Sequence, residues 1–308
     1  MAAGVTGTAQ IDQAVNRFLA ESRFTLQERP GVVASSIESI ILPENEGPSV
    51  NIPKYGTIST QPLTEGVDMT QAQQITDTMM TLTPAEYGCQ IVLTDMMLMT
   101  IRDEFFGIAG RIQGESFDRQ REQTLCDDFD NYSTVLGSAG TAMVVGHIGA
   151  AQSIIKGDAV ADGSAGRGGE AGPDPITAVV TPAISYTLKK SLGGHVTGAV
   201  VLASGGTAAH PGAPNADMLA FSESYNVAGV MVKTSTNLNK DASDDVKCGI
   251  FSKQAQILVS LGGGPNEERE RDASLRGWEV NLVGRWARGE YKDSWGIEGV
   301  FDSSKATS

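Results

Sequence analysis

Apolar residues along the chain recur in two periods, and the changes between them divide the sequence. Ile11, Val15, Phe18 and Leu19 fall at helical spacing, which predicts a short amphipathic helix over residues 8–20. Arg29, Pro30 and Gly31 end that pattern, and Val32–Leu42 follows as an extended, β-branched run. Residues 43–66 then carry Pro43, Pro48, Pro53 and Pro62 around short alternating pieces such as Val50 and Ile52. This predicts a long two-stranded excursion. Its return arm is expected over residues 67–83, where Ile75, Asp77 and Met79 oppose Thr76 and Thr78 in period two. Nothing in the excursion has enough apolar surface to form a core alone.

Tyr87–Leu93 reads as a strand, and Thr94 as the N-cap of a helix with Asp95 in its first turn. No proline interrupts residues 95–131, so the helix would reach about 55 Å. Ile101, Phe105, Ile108 and Ile112 recur at steps of four, three and four and are expected to face the interior as one stripe, with Leu125 and Phe129 near that face. Gly107, Gly110 and Gly114 each weaken the helix by about 1 kcal/mol relative to alanine, so they imply a close backbone crossing or a bend. Ala142–Lys156 predicts a second helix with Val144, Ile148, Ala151 and Ile155 on one side, and residues 157–175 a loop. Strand-like Ile176–Val180 leads through Pro182 into a helix over Ala183–Leu192. Strands or short helices are expected at Val196–Leu202, Val227–Val232 and Ile250–Val259. Trp278, Val280 and Leu282 alternate, and Ile297–Phe301 follows, predicting long antiparallel strands with polar faces.

Composition narrows the function classes. The chain has 308 residues, enough for one or two domains. Only 6% are aromatic, so the core must rely on aliphatic residues. The net charge of −14 repels phosphate backbones and anionic lipid, which argues against tight, specific nucleic-acid binding. Cys89, Cys126 and Cys248 lack C-x-x-C spacing and read as reduced thiols. Met1–Ala20 has no basic region followed by an apolar one, and no apolar run reaches about 18 residues, so use in the cytoplasm without a membrane span is expected.

Candidate chemistry is sparse. Gly163–Gly172 follows a helix and lacks a G-K-[ST] ending, so it reads as a surface loop rather than a phosphate cradle. His147, His195 and His210 have no ligand spacing, and Ser204 lacks a nucleophile elbow. Asp127, Asp128 and Asp130 read as a solvated helix end. The run Glu267–Asp272 could pair with a neighbouring subunit, although a solvated charged face is the commoner meaning. Trp278, Trp286 and Trp295 read as packing residues. No catalytic, cofactor-binding or metal-ligating residue is assigned, and no cofactor is expected.

The order of these parts resembles the Hong Kong 97 capsid fold of tailed phages, also used by encapsulin compartments. The resemblance rests on Leu63-Thr64-Glu65-Gly66 in the excursion, Tyr87-Gly88, Leu93-Thr94-Asp95 entering the long helix, Asp174–Leu188 and Leu275–Phe301. It implies an α+β fold: an N-terminal arm (1–43), an extended β-hairpin loop (44–84), a peripheral domain with a spine helix (85–133), a mixed α/β axial domain (134–269) and returning peripheral strands (270–308). The implied function is structural, a major capsid protein assembling with itself into pentamers and hexamers of an icosahedral head that encloses double-stranded DNA. It would be built in the host cytoplasm and contact packaged DNA only non-specifically, with separate scaffolding, portal and decoration proteins as further partners. Expected subunit-interface residues are Ile52, Lys54, Tyr55, Ile58, Leu63 and Glu65 on the loop, and Glu268, Arg269 and Arg271 in the charged run. Some relatives join a loop lysine to a neighbour's asparagine. Lys54 and Asn281 are the nearest candidates, but no catalytic acid can be assigned, so covalent joining is not expected. An encapsulin-like shell and an α/β enzyme without a recognisable site are the alternatives.

Overall fold

The computed structural model describes residues 31–43, 47–56, 58, 60, 62–66, 68, 70, 72–100, 104–157, 170–197 and 225–305. The expected helix at 8–20, most of the loop 157–175, His210 and Ser204 lie outside them. Two sheets carry the fold. The first has the order β1-β10-β11-β4, from β1 (Glu38–Leu42), β10 (Gln256–Asp272), β11 (Gly277–Glu290) and β4 (Ala85–Thr94). The second has the order β5-β12-β9-β6-β8-β7, from β5 (Val135–Gly137), β12 (Gly296–Asp302), β9 (Asp245–Ser252), β6 (Ile176–Val180), β8 (Val230–Thr234) and β7 (Tyr225–Val227). A separate hairpin pairs β2 (Val50–Tyr55) with β3 (Asp77–Leu82). Within the span 270–308, β11 joins the first sheet and β12 the second, so sheet membership does not follow that boundary.

Thr94 caps as expected, its Oγ1 accepting the Met97 amide at 3.3 Å. The helix it starts, α1 (Asp95–Thr100), is followed by α2 (Glu104–Cys126) and a 3-10 turn at Asp127–Asn131. The 23 residues of α2 span about 35 Å. Its phase differs from the expectation. Ile108 and Ile112 are 54% and 59% exposed, while Ala109, Gln113, Phe117 and Leu125 are buried. Ile101 lies outside the described residues. The reason is what the sheet demands of the helix. Gln113 donates from Nε2 to the carbonyls of Cys89 at 3.0 Å and Val280 at 3.5 Å, and the Phe117 ring meets Trp286 edge-on at 5.0 Å. Gly110 and Gly114 are buried on this side, consistent with close approach.

Residues 31–37 form a helical turn, not the start of a strand. Ser35 N bonds to Gly31 O, Ile37 N bonds to Val33 O, and the Ser35 and Ser36 hydroxyls donate back to Val32 O. Only Glu38–Leu42 continues as β1, parallel to β10.

Around the second sheet, α3 (Val145–Ile155) buries Ile148, Ala151 and Ile155 on one side as its spacing predicts, whereas Val144, expected with them, is its N-cap and exposed. All five residues of β6 are buried, as befits a central strand, and Pro182 opens α4 (Pro182–Thr197). One continuous core joins the sheets, from Phe117, Leu282 and Trp286 through Phe129 to Ile250, Phe251 and Phe301.

Truncating Phe117 to alanine should cost about 3–5 kcal/mol, as for buried aromatics generally. Ile112→Ala should stay within about 0.5 kcal/mol, as at ordinary surface sites. Denaturant titration of the two variants checks this phase, and equal losses would refute it.

Candidate assembly surface

The hairpin β2/β3 is divided into an anchored base and an exposed outer part. Period-two alternation gives the first sheet two apolar faces. Leu258, Val280, Leu282 and Trp286 belong to the cores under α2, whereas Ile257, Val259 and Ala287 cluster with Leu82, Val50, Ile52 and Met80 of the hairpin. The base therefore covers the face opposite α2. Gly289 lacks the side chain that would collide with Met80 and Leu82, which lets the hairpin lie close on β11.

A polar contact extends the anchor. Tyr291 donates from its hydroxyl to Pro53 O at 3.4 Å, and Lys54 Nζ lies 5.2 Å from the centre of the Tyr291 ring. Ile52 and Lys54, expected at a subunit interface, thus make these contacts within their own chain. Tyr55 and Leu63 are 70% and 68% exposed, and Ile58, Ile75, Met79 and Glu65 are exposed with them.

Glu268 and Arg269 are exposed on β10, Glu268 lying across from Asn281. Arg271 grips both carboxylate oxygens of Asp95 at 3.0 and 2.9 Å, tying the far end of β10 to the start of α1. This bonding holds the Asp95 carboxyl below its ordinary range. Asn281 and Lys54 are far apart within one chain, since Asn281 precedes Tyr291 by ten strand-like residues, roughly 30 Å.

Sequence reasoning missed a second set of exposed apolar side chains. Met96 and Met99 on α1 and Ile108 and Ile112 on α2 are all exposed. The methionine-rich run Met96–Met99 and the alternative helix face through Ala109, Gln113 and Phe117 were the available signals.

Other candidate groups have structural contacts. His147 accepts the Val144 amide at 3.2 Å through Nδ1 and lies against Phe301. Asp128 pairs with Arg288 at 2.6 Å, and Asp130 with Lys247. Burial raises the Asp128 carboxyl, with Arg288 opposing that effect. Trp286 stacks on Tyr87 at 4.0 Å, Trp295 donates from Nε1 to Glu170 O at 3.2 Å, and Trp278 lies beneath the Arg271 guanidinium. Among the described residues, no three His, Cys, Asp or Glu side chains converge as a metal site, and no helix is long and apolar enough to cross a membrane.

No family model matches the sequence, and no curated protein matches it. The fold does have relatives among solved structures. The capsid of Ralstonia phage GP4 aligns with a TM-score of 0.64 at 12% identity, covering 89% of this chain and 88% of that one. The head structure of Helicobacter pylori bacteriophage KHP40 aligns with a TM-score of 0.62 at 10% identity, covering 86% and 87%. A structure from Mycobacterium phage Che8 aligns with a TM-score of 0.58 at 17% identity, covering 82% and 85%. The chain shares its fold with these phage structures, the α+β Hong Kong 97 type that its sequence resembles.

Burial pushes the Cys248 thiol up to about 12 and raises Cys126 as well, while Cys89 is only half-buried. Ellman's reagent should therefore leave Cys126 and Cys248 untouched in the native chain, reach Cys89 slowly, and titrate all three after denaturation. Fast native labelling of all three would contradict this packing.

Proposed function

We propose that this chain is a structural shell protein, the major capsid protein of a tailed-phage head that encloses double-stranded DNA. The observation that carries the reading is a fold shared with phage capsids over most of its length, joined to a loop whose outer half exposes Tyr55, Ile58, Leu63, Ile75 and Met79. A hairpin alone in water is marginal. Apolar side chains on its outer half gain stability only when another surface covers them, at about 25 cal/mol per Å² buried.

In this reading the covering surface is a second copy of the chain. Met96 and Met99 on α1, with Ile108 and Ile112 on α2, offer exposed apolar positions to receive it. The base stays fixed on its own sheet, so the loop reaches outward as an arm. Repetition of one arm-to-body contact would build pentamers and hexamers. Scaffolding, portal and decoration proteins would be separate partners, and the acidic body would meet packaged DNA only non-specifically. The proposed role is structural rather than catalytic, in the virion and assembled in the host cytoplasm.

Electron microscopy of the purified full chain tests the reading: closed shells are expected, and a persistent monomer across salt and protein concentrations would overturn it. Assembly should strengthen with added salt, because screening over a Debye length of about 10 Å at 0.1 M weakens repulsion between acidic subunits. Leu63→Ser and Ile112→Ser should each abolish shells while leaving the denaturation midpoint of the single chain unchanged. Limited proteolysis should cut unassembled chain between residues 56 and 76 first and spare that segment in shells. Equal protection in the monomer would mean the arm folds on its own subunit.

A further inference from the structure

The turn at residues 31–37 is gripped from two sides by charged groups, one buried and one half-buried. From α2, Glu122 reaches it with only 2% of its surface exposed, and its Oε1 accepts the Val33 amide at 2.8 Å. The Ala34 amide also acts on this carboxylate, favouring its ionised form. Oε2 is buried with no hydrogen-bond partner, and any side chain at Gly31 would run into it. From β8 in the second sheet, Lys233 donates from Nζ to Ser36 Oγ at 2.8 Å and to Ser35 Oγ at 3.4 Å. The turn itself contains only Gly, Val, Ala, Ser and Ile, so it supplies no counter-charge. Two groups of opposite charge therefore hold one neutral segment between the helix on the first sheet and a strand of the second.

We propose that Glu122 and Lys233 form a proton-controlled latch on residues 31–37, closed when Glu122 is neutral and loosened when it is ionised. An ionised carboxylate with one unpartnered oxygen is costly where water is excluded, and a neutral one is far less so. Burial raises the Glu122 carboxyl above its ordinary range, the two amides oppose this, Asp118 on the same helix raises it further and Arg121 lowers it. Cys126, one turn on, has its thiol raised by burial and by Glu122. Lys233 is lowered by burial and partly restored by the field of Glu122. A carboxyl raised in the closed state binds its proton more tightly there than when solvated, so acid favours closure. Stability of the latch is lost as pH rises from the solvated pKa of glutamate through the raised one. Lys233 supplies the cation that offsets the ionised carboxylate, so the latch loosens rather than fails at neutral pH. The inference concerns the single chain and holds whether or not it forms shells.

Hydrogen exchange read by mass spectrometry on the full chain tests it, comparing peptides over residues 31–42 at about pH 5 and about pH 7.5 after correction for intrinsic exchange. Corrected protection should be greater at the lower pH, by up to about tenfold for each pH unit separating the closed and solvated pKa values. A peptide over β12 should show no such change. Glu122→Gln, neutral at both pH values, should erase the difference, and Lys233→Met should enlarge it. Equal corrected protection in the wild type, protection lost at low pH, or undiminished pH dependence in Glu122→Gln would overturn the latch. If circular dichroism shows that Glu122→Gln does not fold, Asp118→Asn decides. Removing that neighbouring negative charge should move the midpoint of the wild-type profile to lower pH, and an unmoved midpoint would overturn the proposal.

Discussion

The antiparallel pairing of β10 with β11 presents apolar side chains on both faces, and this constraint organises the first half of the fold. The register runs from Gln256 opposite Glu290 to Asp272 opposite Gly277, shifting once between Leu261 and Asn266. Leu258, Leu282 and Trp286 need a cover on one face, and α2 supplies it through Phe117. Ile257, Val259 and Ala287 need a cover on the other, and the hairpin base supplies it. A single strand pair thus fixes both the long helix and the root of the exposed arm. With so few rings in the chain, stacking Tyr87 on Trp286 beside Phe117 concentrates aromatic packing at the junction.

Much of this order was legible because local chemistry specifies it. Thr94 starts a helix, Pro182 opens another, β6 is apolar throughout, and the proline-rich segment around Val50 and Ile52 reads as a hairpin with no core of its own. The misread parts depend on partners distant in sequence. Helix α2 offers an isoleucine face and a face built from Ala109, Gln113 and Phe117. Periodicity favours the isoleucines, but the sheet selects the second face because Gln113 can reach two strand carbonyls. Val32–Ile37 looks extended until Glu122, 89 residues away, caps it as a turn. At the candidate site, the exposure of Tyr55, Ile58 and Leu63 follows from a loop without a core. The anchoring of Ile52 and Lys54 does not, since it requires Tyr291 and the far face of the sheet.

Cations are the scarce charge, 23 lysines and arginines against 37 acidic residues. Several hold together elements far apart in the chain. Arg288 on β11 pairs with Asp128 and donates to Thr124 O at the end of α2, Arg271 joins β10 to α1, and Lys247 on β9 bridges Asp130 and Glu298 at 3.1 Å from the latter. Glu298 is buried, so its pairing matters more than an exposed contact would. The remaining acidic surplus lies largely outside these contacts and gives the molecule a repulsive exterior.

An arm rooted on one face and an acceptor patch on α1 and α2 are different surfaces of the same chain. The proposed contact is therefore heterologous: a pair of copies joined by one such contact still has one free arm and one free acceptor. Only rotation around a closed ring satisfies every copy, and a contact angle that fails to close would generate an open helix instead. If copies join by the proposed contact, the pitch at which the hairpin leaves β11, where Met80 and Leu82 sit over Gly289, would be the angular constant that decides between closure and endless growth.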